Sequence, residues 1–194
     1  MWLAADDVTR SLRGSWRLMT RGAEALKELD LTPQGFWRSF AALILTLPAM
    51  VTLLAAERVV DGLPNAGNLF DSPHLVASVI GAEALAILLV PAMLIGLAPK
   101  LVQTPRFTSF VIAWNWAGIV SVSLMAVPAT IFAIGWAPPT LAAVQTLAFA
   151  AVVLRLRYCV AQAAFGPRGG GGMIVLASVI ADYSIVRLFG LVGF

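Results

Sequence analysis

The stretch FTSFVIAWNWAGIVSVSLMAVPATIF, from Phe107 to Phe132, contains no Asp, Glu, Lys or Arg. About 20 consecutive apolar residues in helical form cross roughly 30 Å of hydrocarbon, and a helix that is apolar on all sides belongs in a large core or a bilayer. A membrane span follows. Working outward, four more blocks read the same way, at about 36–56, 75–97, 140–157 and 173–192. Composition agrees: 60% of the chain is hydrophobic and only 12% charged, against about a quarter charged in soluble domains. The fold class these features define is an all-α, polytopic bundle of five transmembrane helices. Too few residues lie between the blocks for a second, soluble domain.

Basic residues set the expected orientation, because Lys and Arg in short loops stay on the cytoplasmic side. Arg10, Arg13, Arg17, Arg21 and Lys27 precede the first span, Lys100 and Arg106 lie between the second and third, and Arg155, Arg157 and Arg168 follow the fourth. The alternate loops hold only Arg58, and the turn Gly135 to Pro139 has no charge. This alternation predicts an amino terminus inside and a carboxyl terminus outside.

Residues 1–30 form a separate expected unit, a cytoplasmic helix ahead of the membrane domain at 31–194. At 100° per residue Ala5, Val8, Leu12, Met19, Ala23 and Leu26 share one side with Trp16, while Arg10, Arg13, Arg17 and Arg21 form a stripe on another. A basic amphipathic helix of this kind lies in the headgroup region, with Arg10, Arg13, Trp16, Arg17 and Arg21 as its lipid-surface contacts. The alternative is a helix that packs its apolar side on the rest of the protein or on a partner. Thr32 and Pro33 then predict the start of a new helix, the first as its cap and the second in its first turn. Loop formers Pro64, Asn65 and Gly67 follow the first span, and the glycine run ending at Gly172 predicts a flexible connector before the last.

Charged groups inside hydrocarbon cost about 2.5 to 3.5 kcal/mol on insertion scales and therefore find partners or face water. Glu83 falls in the second span, Asp182 and Arg187 in the fifth. A pair between Glu83 and Arg187 is the expected contact, with Tyr183 on the face of Arg187 and Gln145 of the fourth span nearby. Two readings compete: a structural latch between the second and fifth spans, or a proton or solute relay. Asn115, between Trp114 and Trp116, is expected to hydrogen-bond another helix. Pro48, Pro91 and Pro128 are expected to kink the first three spans.

Enzymatic chemistry is disfavoured. The chain has one histidine and one cysteine, no HExxH or GxSxG motif, and no Walker lysine. No metal or cofactor is expected, and nucleic acid is not an expected partner, since the excess of basic residues fits the cytoplasmic bias. Membrane lipids, protein partners or further copies of the chain are the expected contacts.

With its polar amino-terminal segment, five closely spaced spans, short exterior carboxyl terminus and the lead-in Leu29-Asp30-Leu31-Thr32-Pro33-Gln34-Gly35-Phe36-Trp37, the chain resembles bacterial members of the Yip1 family. The resemblance covers residues 29 to 194 by topology. The acidic-Leu-Tyr-Gly-Pro signature of the eukaryotic members is missing, so no functional residue is carried over. What the resemblance implies is a non-enzymatic protein of a bacterial inner membrane that organises membranes or partner proteins. A small solute or proton-coupled transporter, and an accessory subunit of a larger membrane complex, are the alternatives.

Overall fold

A computed structural model describes residues 4–62, 72–167 and 170–191. The expected loop around Pro64, Asn65, Gly67 and Asp71, the residues Arg168 and Gly169 of the connector, and the end of the fifth span at 192 lie outside the described residues.

Among the described residues all regular structure is helical. The chain runs through α1 (Ala5–Arg21), a 3-10 segment (Gly22–Glu28), α2 (Pro33–Ser39), α3 (Ala42–Leu45), α4 (Leu47–Val60), α5 (Pro73–Leu97), α6 (Pro99–Val102), α7 (Pro105–Ala133), α8 (Pro139–Phe165) and α9 (Gly171–Phe189). Five segments are long and apolar enough to cross a membrane: Pro33–Val60, which joins α2 to α4, and then α5, α7, α8 and α9.

Thr32 caps α2, its hydroxyl accepting from the Gly35 N–H at 3.1 Å, with Pro33 in the first turn. The same hydroxyl donates to Asp30 Oδ1 at 2.6 Å, which closes a tight turn before the helix. Gly35 is required there. A Cβ at this position would stand 2.0 Å from the Asp30 carbonyl oxygen.

The first span is segmented rather than simply kinked. The regular α-helical hydrogen-bond pattern is interrupted at Phe40 and Ala41 and again at Thr46, just ahead of Pro48, although the backbone stays right-handed helical at all three. Pro48 has no N–H to return to Ile44, and Thr46 turns its hydroxyl onto the Leu43 carbonyl at 2.9 Å. Pro91 and Pro128, by contrast, sit inside helices that run through them.

The five spans close a ring: α4 packs on α7, α7 on α8, α8 on α9, α9 on α5, and α5 on α4. Chain order and ring order differ, because α7 inserts between the first and fourth spans. This centrality shows in burial: 61% of the apolar window of α7 is enclosed, against 17–33% for the other four spans. The remaining apolar surface, including Ile44, Leu88, Leu147 and Leu188, points outward, as lipid-facing positions do.

Against one end of this ring lies the amino-terminal layer. α1 and α2 pack on α7, and α1 and the 3-10 segment pack on α8. Leu18 and Ala25 are fully buried there, with Val8, Leu12, Met19 and Leu26 packed against the same core as Phe110, Leu156 and Val160. Gly14 and Ser15 let the 3-10 segment approach α1. Among the described residues, α1 and the 3-10 segment are thus docked on the bundle by their apolar side, as in the second of the two expectations. This docking also explains why α8 outruns the expected end at 157. Its last two turns bury Val160, Ala161, Ala164 and Phe165 under the layer.

Candidate functional site

The charged centre of the bundle forms between α8 and α9. At 100° per residue Ser178, Asp182 and Ile185 share the inward face of α9, while Arg187 lies about 140° from Asp182. Ser178 and Ile185 are indeed buried, and Tyr183 and Arg187 are exposed. The expected Glu83–Arg187 pair therefore does not form, and Tyr183 takes no part. Asp182 is ion-paired instead with Arg157 of α8.

Arg157 is held on three sides. Its Nη1 donates to Asp182 and to the Ser178 hydroxyl, the latter at 3.2 Å. The Ser178 proton is turned away to the Val175 carbonyl at 2.8 Å, which leaves the oxygen free to accept. The guanidinium lies 5.5 Å from the centre of the buried Trp114 ring, a favourable place for a cation over an aromatic face. The Arg157 side chain is 16% accessible and that of Asp182 40%.

Beside this pair the ring holds a partly open cavity of about 340 Å³, to which all five spans contribute. Its polar lining is Glu57 of α4, Glu83 of α5, Ser121 of α7, Arg157 and Asp182; the rest is aliphatic, with Met125. Glu83 lies within electrostatic range of both Asp182 and Arg157, yet makes no hydrogen bond or ion pair of its own among the described residues. Glu57 is buried and has a partner. Three carboxylates thus share one wall system with a single guanidinium. Among the described residues they do not converge as a metal site.

Arg157 is the residue that sequence reasoning misplaced. It was expected to end the fourth span beside Arg155, but the two lie about 200° apart on a helix and cannot both face water. The signal was present: Arg157 continues the face of Ala150, Val153 and Leu154, three and four residues apart, all of which line the cavity. Gln145 is elsewhere. It precedes Arg157 by about 18 Å along α8 and does not line the cavity; its Oε1 is buried without a hydrogen bond.

Asn115 forms a second, separate polar contact, donating through Nδ2 to Ser39 Oγ at 2.9 Å in a buried setting. It ties α7 to the first span. Among the arginines of α1, Arg10 pairs with Asp7 at 2.7 Å and Arg17 with Glu28 at 2.9 Å, with Arg21 3.9 Å from the same carboxylate. Arg13 is exposed and has no acidic partner among the described residues, and Trp16 beside it is 46% accessible.

Fold and site together define a polytopic helical bundle of membrane type with a charged internal cavity. Compared with protein-family models, curated proteins and solved structures, the chain finds no match.

Proposed function

We propose that the chain is a non-enzymatic integral membrane protein that takes a small cationic solute, or a proton with its water, into the bundle cavity, and so acts as a small transporter or transporter subunit. The observation that carries this reading is Glu83 on the cavity wall, with no hydrogen bond or ion pair of its own among the described residues, beside an Arg157–Asp182 pair that already occupies the guanidinium of the lining. A carboxylate in such a place is costly unless it meets water or a cation. The latch and the relay are then different residues. Arg157 and Asp182 fasten α8 to α9, and Glu83 is left for the ligand. A space of about 340 Å³ sits at the small end of ligand sites, which suits an ammonium-sized ion with water.

The test is reconstitution in sealed vesicles with an internal pH dye and a panel of monovalent cations and small amines. Native protein should give flux above empty vesicles for at least one member of the panel, and Glu83→Gln, purified with unchanged helicity, should lower it about tenfold. No flux with any member, or a Glu83→Gln protein as active as the native one, would overturn the reading.

A second reading, the Yip1-like organiser of membranes or partners in a bacterial inner membrane, is favoured by the amino-terminal layer. Its exposed arginines are held rigidly at one end of the bundle. Mass measurement of the complex purified in mild detergent separates this reading from a self-sufficient transporter, since an organiser or accessory subunit should retain a partner protein at fixed ratio.

A further inference from the structure

We infer that the outward face of α1, centred on Arg13 and Trp16, is a docking surface for the headgroups of anionic phospholipids. α7 has 29 residues and α8 has 27, about 40 Å or more each at 1.5 Å per residue, so both exceed the roughly 30 Å of hydrocarbon by several residues.

The excess lies at one end. The turn that joins these helices carries exposed Ile134 and Trp136 and no charge, whereas Arg106 and Arg155 are exposed near their other ends. Counting about 20 residues from that turn brings the hydrocarbon boundary near residue 113 on α7 and near Tyr158 on α8. Arg155 and the 41% accessible Tyr158 fit such a boundary, since aromatic and basic side chains gather at the interface.

α1 is packed against this same level, on the core that holds Phe110 to Ala117 of α7 and Leu156 to Phe165 of α8. Its apolar side is taken up by that contact. What it presents on the other side is Thr9, Arg13, Trp16 and Thr20, which fall within about 60° of one another at 100° per residue and are all exposed. Arg10 and Arg17 flank this stripe but are already matched with Asp7 and Glu28. Arg13 is the basic group on it, with no acidic partner among the described residues, and Trp16 provides the amphipathic ring that settles among headgroups. Charge and depth both select a lipid phosphate over a soluble partner. This inference is independent of the cavity reading and survives its failure.

The experiment is native mass spectrometry of the purified protein in mild detergent, with phosphatidylglycerol and phosphatidylcholine added in equal amount. Native protein should retain phosphatidylglycerol in preference, and Arg13→Gln should lower that preference about fivefold, the worth of one basic side chain at an anionic surface. Arg13→Lys should keep most of it, and Trp16→Ala should reduce retention of both lipids. Inorganic phosphate at the same concentration should not compete. Equal retention of the two lipids by the native protein, an unchanged preference in Arg13→Gln, or full displacement by inorganic phosphate would overturn the inference. So would a protein neighbour crosslinked through position 13 in native membranes, which would assign the face to a protein partner.

Discussion

The half of the bundle beneath the amino-terminal layer and the half that holds the cavity use the same long helices in opposite ways. In the first, every residue of α7 from Phe110 to Ala117 is buried, because α1, α2 and α8 pack on it. In the second, α4, α5 and α9 stand around a space and line it with Glu57, Glu83 and Asp182. Arg157 stands at the border, its guanidinium over Trp114 on one side and bound to Asp182 on the other. The lesson is one of packing. Where a sixth and seventh element cover the bundle, it closes to a solid core; where five spans must do the work alone, space remains and charge can be kept.

Substitutions in the two halves should therefore differ in kind. The largest effect belongs to the solid half: Phe110→Ala, at a side chain with no accessible surface that meets Trp114 and Phe165 at ring distances of 5.4 and 5.1 Å, should lower unfolding stability by about 3 kcal/mol. Denaturation in detergent measures it. A loss under about 1 kcal/mol would mean that this half relaxes easily and is not the solid one.

Next comes Arg157→Met, which leaves Asp182 without its cation. Removing one member of a fully buried pair costs about 3 to 5 kcal/mol. With 40% of Asp182 accessible, about 2 kcal/mol is the expected figure, read by the same denaturation. Adding Asp182→Leu should recover most of it. A double variant no better than the single one would show that Arg157 acts through Trp114 and Ser178 alone.

The smallest effect is that of acid on the turn that leads into the first span. The Thr32 hydroxyl, donating to Asp30, holds that carboxyl below its ordinary range; burial opposes this, and the Thr32 N–H, Arg38 and Arg10 add to the lowering. Asp7 faces the same Arg38 at 3.9 Å. A depressed carboxylate contributes stability above its unfolded value, about 3.9, and that contribution fades as pH falls through the folded value. Amide exchange at Thr32 and Gly35 should therefore quicken, relative to intrinsic rates, below about pH 4. Asp30→Asn should remove this dependence, and an unaltered profile in that variant would place the effect on another acid.

Much of the fold was legible because hydrocarbon imposes length and apolarity directly. The spans at 75–97 and 107–132 fall almost where α5 and α7 lie, and the Thr32–Pro33 helix start is a local signal that tertiary context does not alter. What could not be read was anything decided between elements. The break at Thr46 depends on a hydroxyl taking over near Pro48, and the extra turns of α8 exist because residues more than a hundred positions earlier cover them. The charged centre was half legible: Asp182 and Glu83 stood out as acids in apolar runs, but depth alone suggested Arg187, and the helical phase that turns Arg187 outward and Arg157 inward was the deciding quantity.

The position of α1 has a consequence in time. Its seat is built from α7 and α8, which leave the ribosome long after α1 itself; at about 5 to 20 residues per second the interval is of the order of ten seconds or more. During that interval Leu18, Val8 and Leu12 have only the 3-10 segment of their own chain to rest on. Docking of α1 thus waits for the fourth span, and an undocked first helix marks every chain that stalls before it.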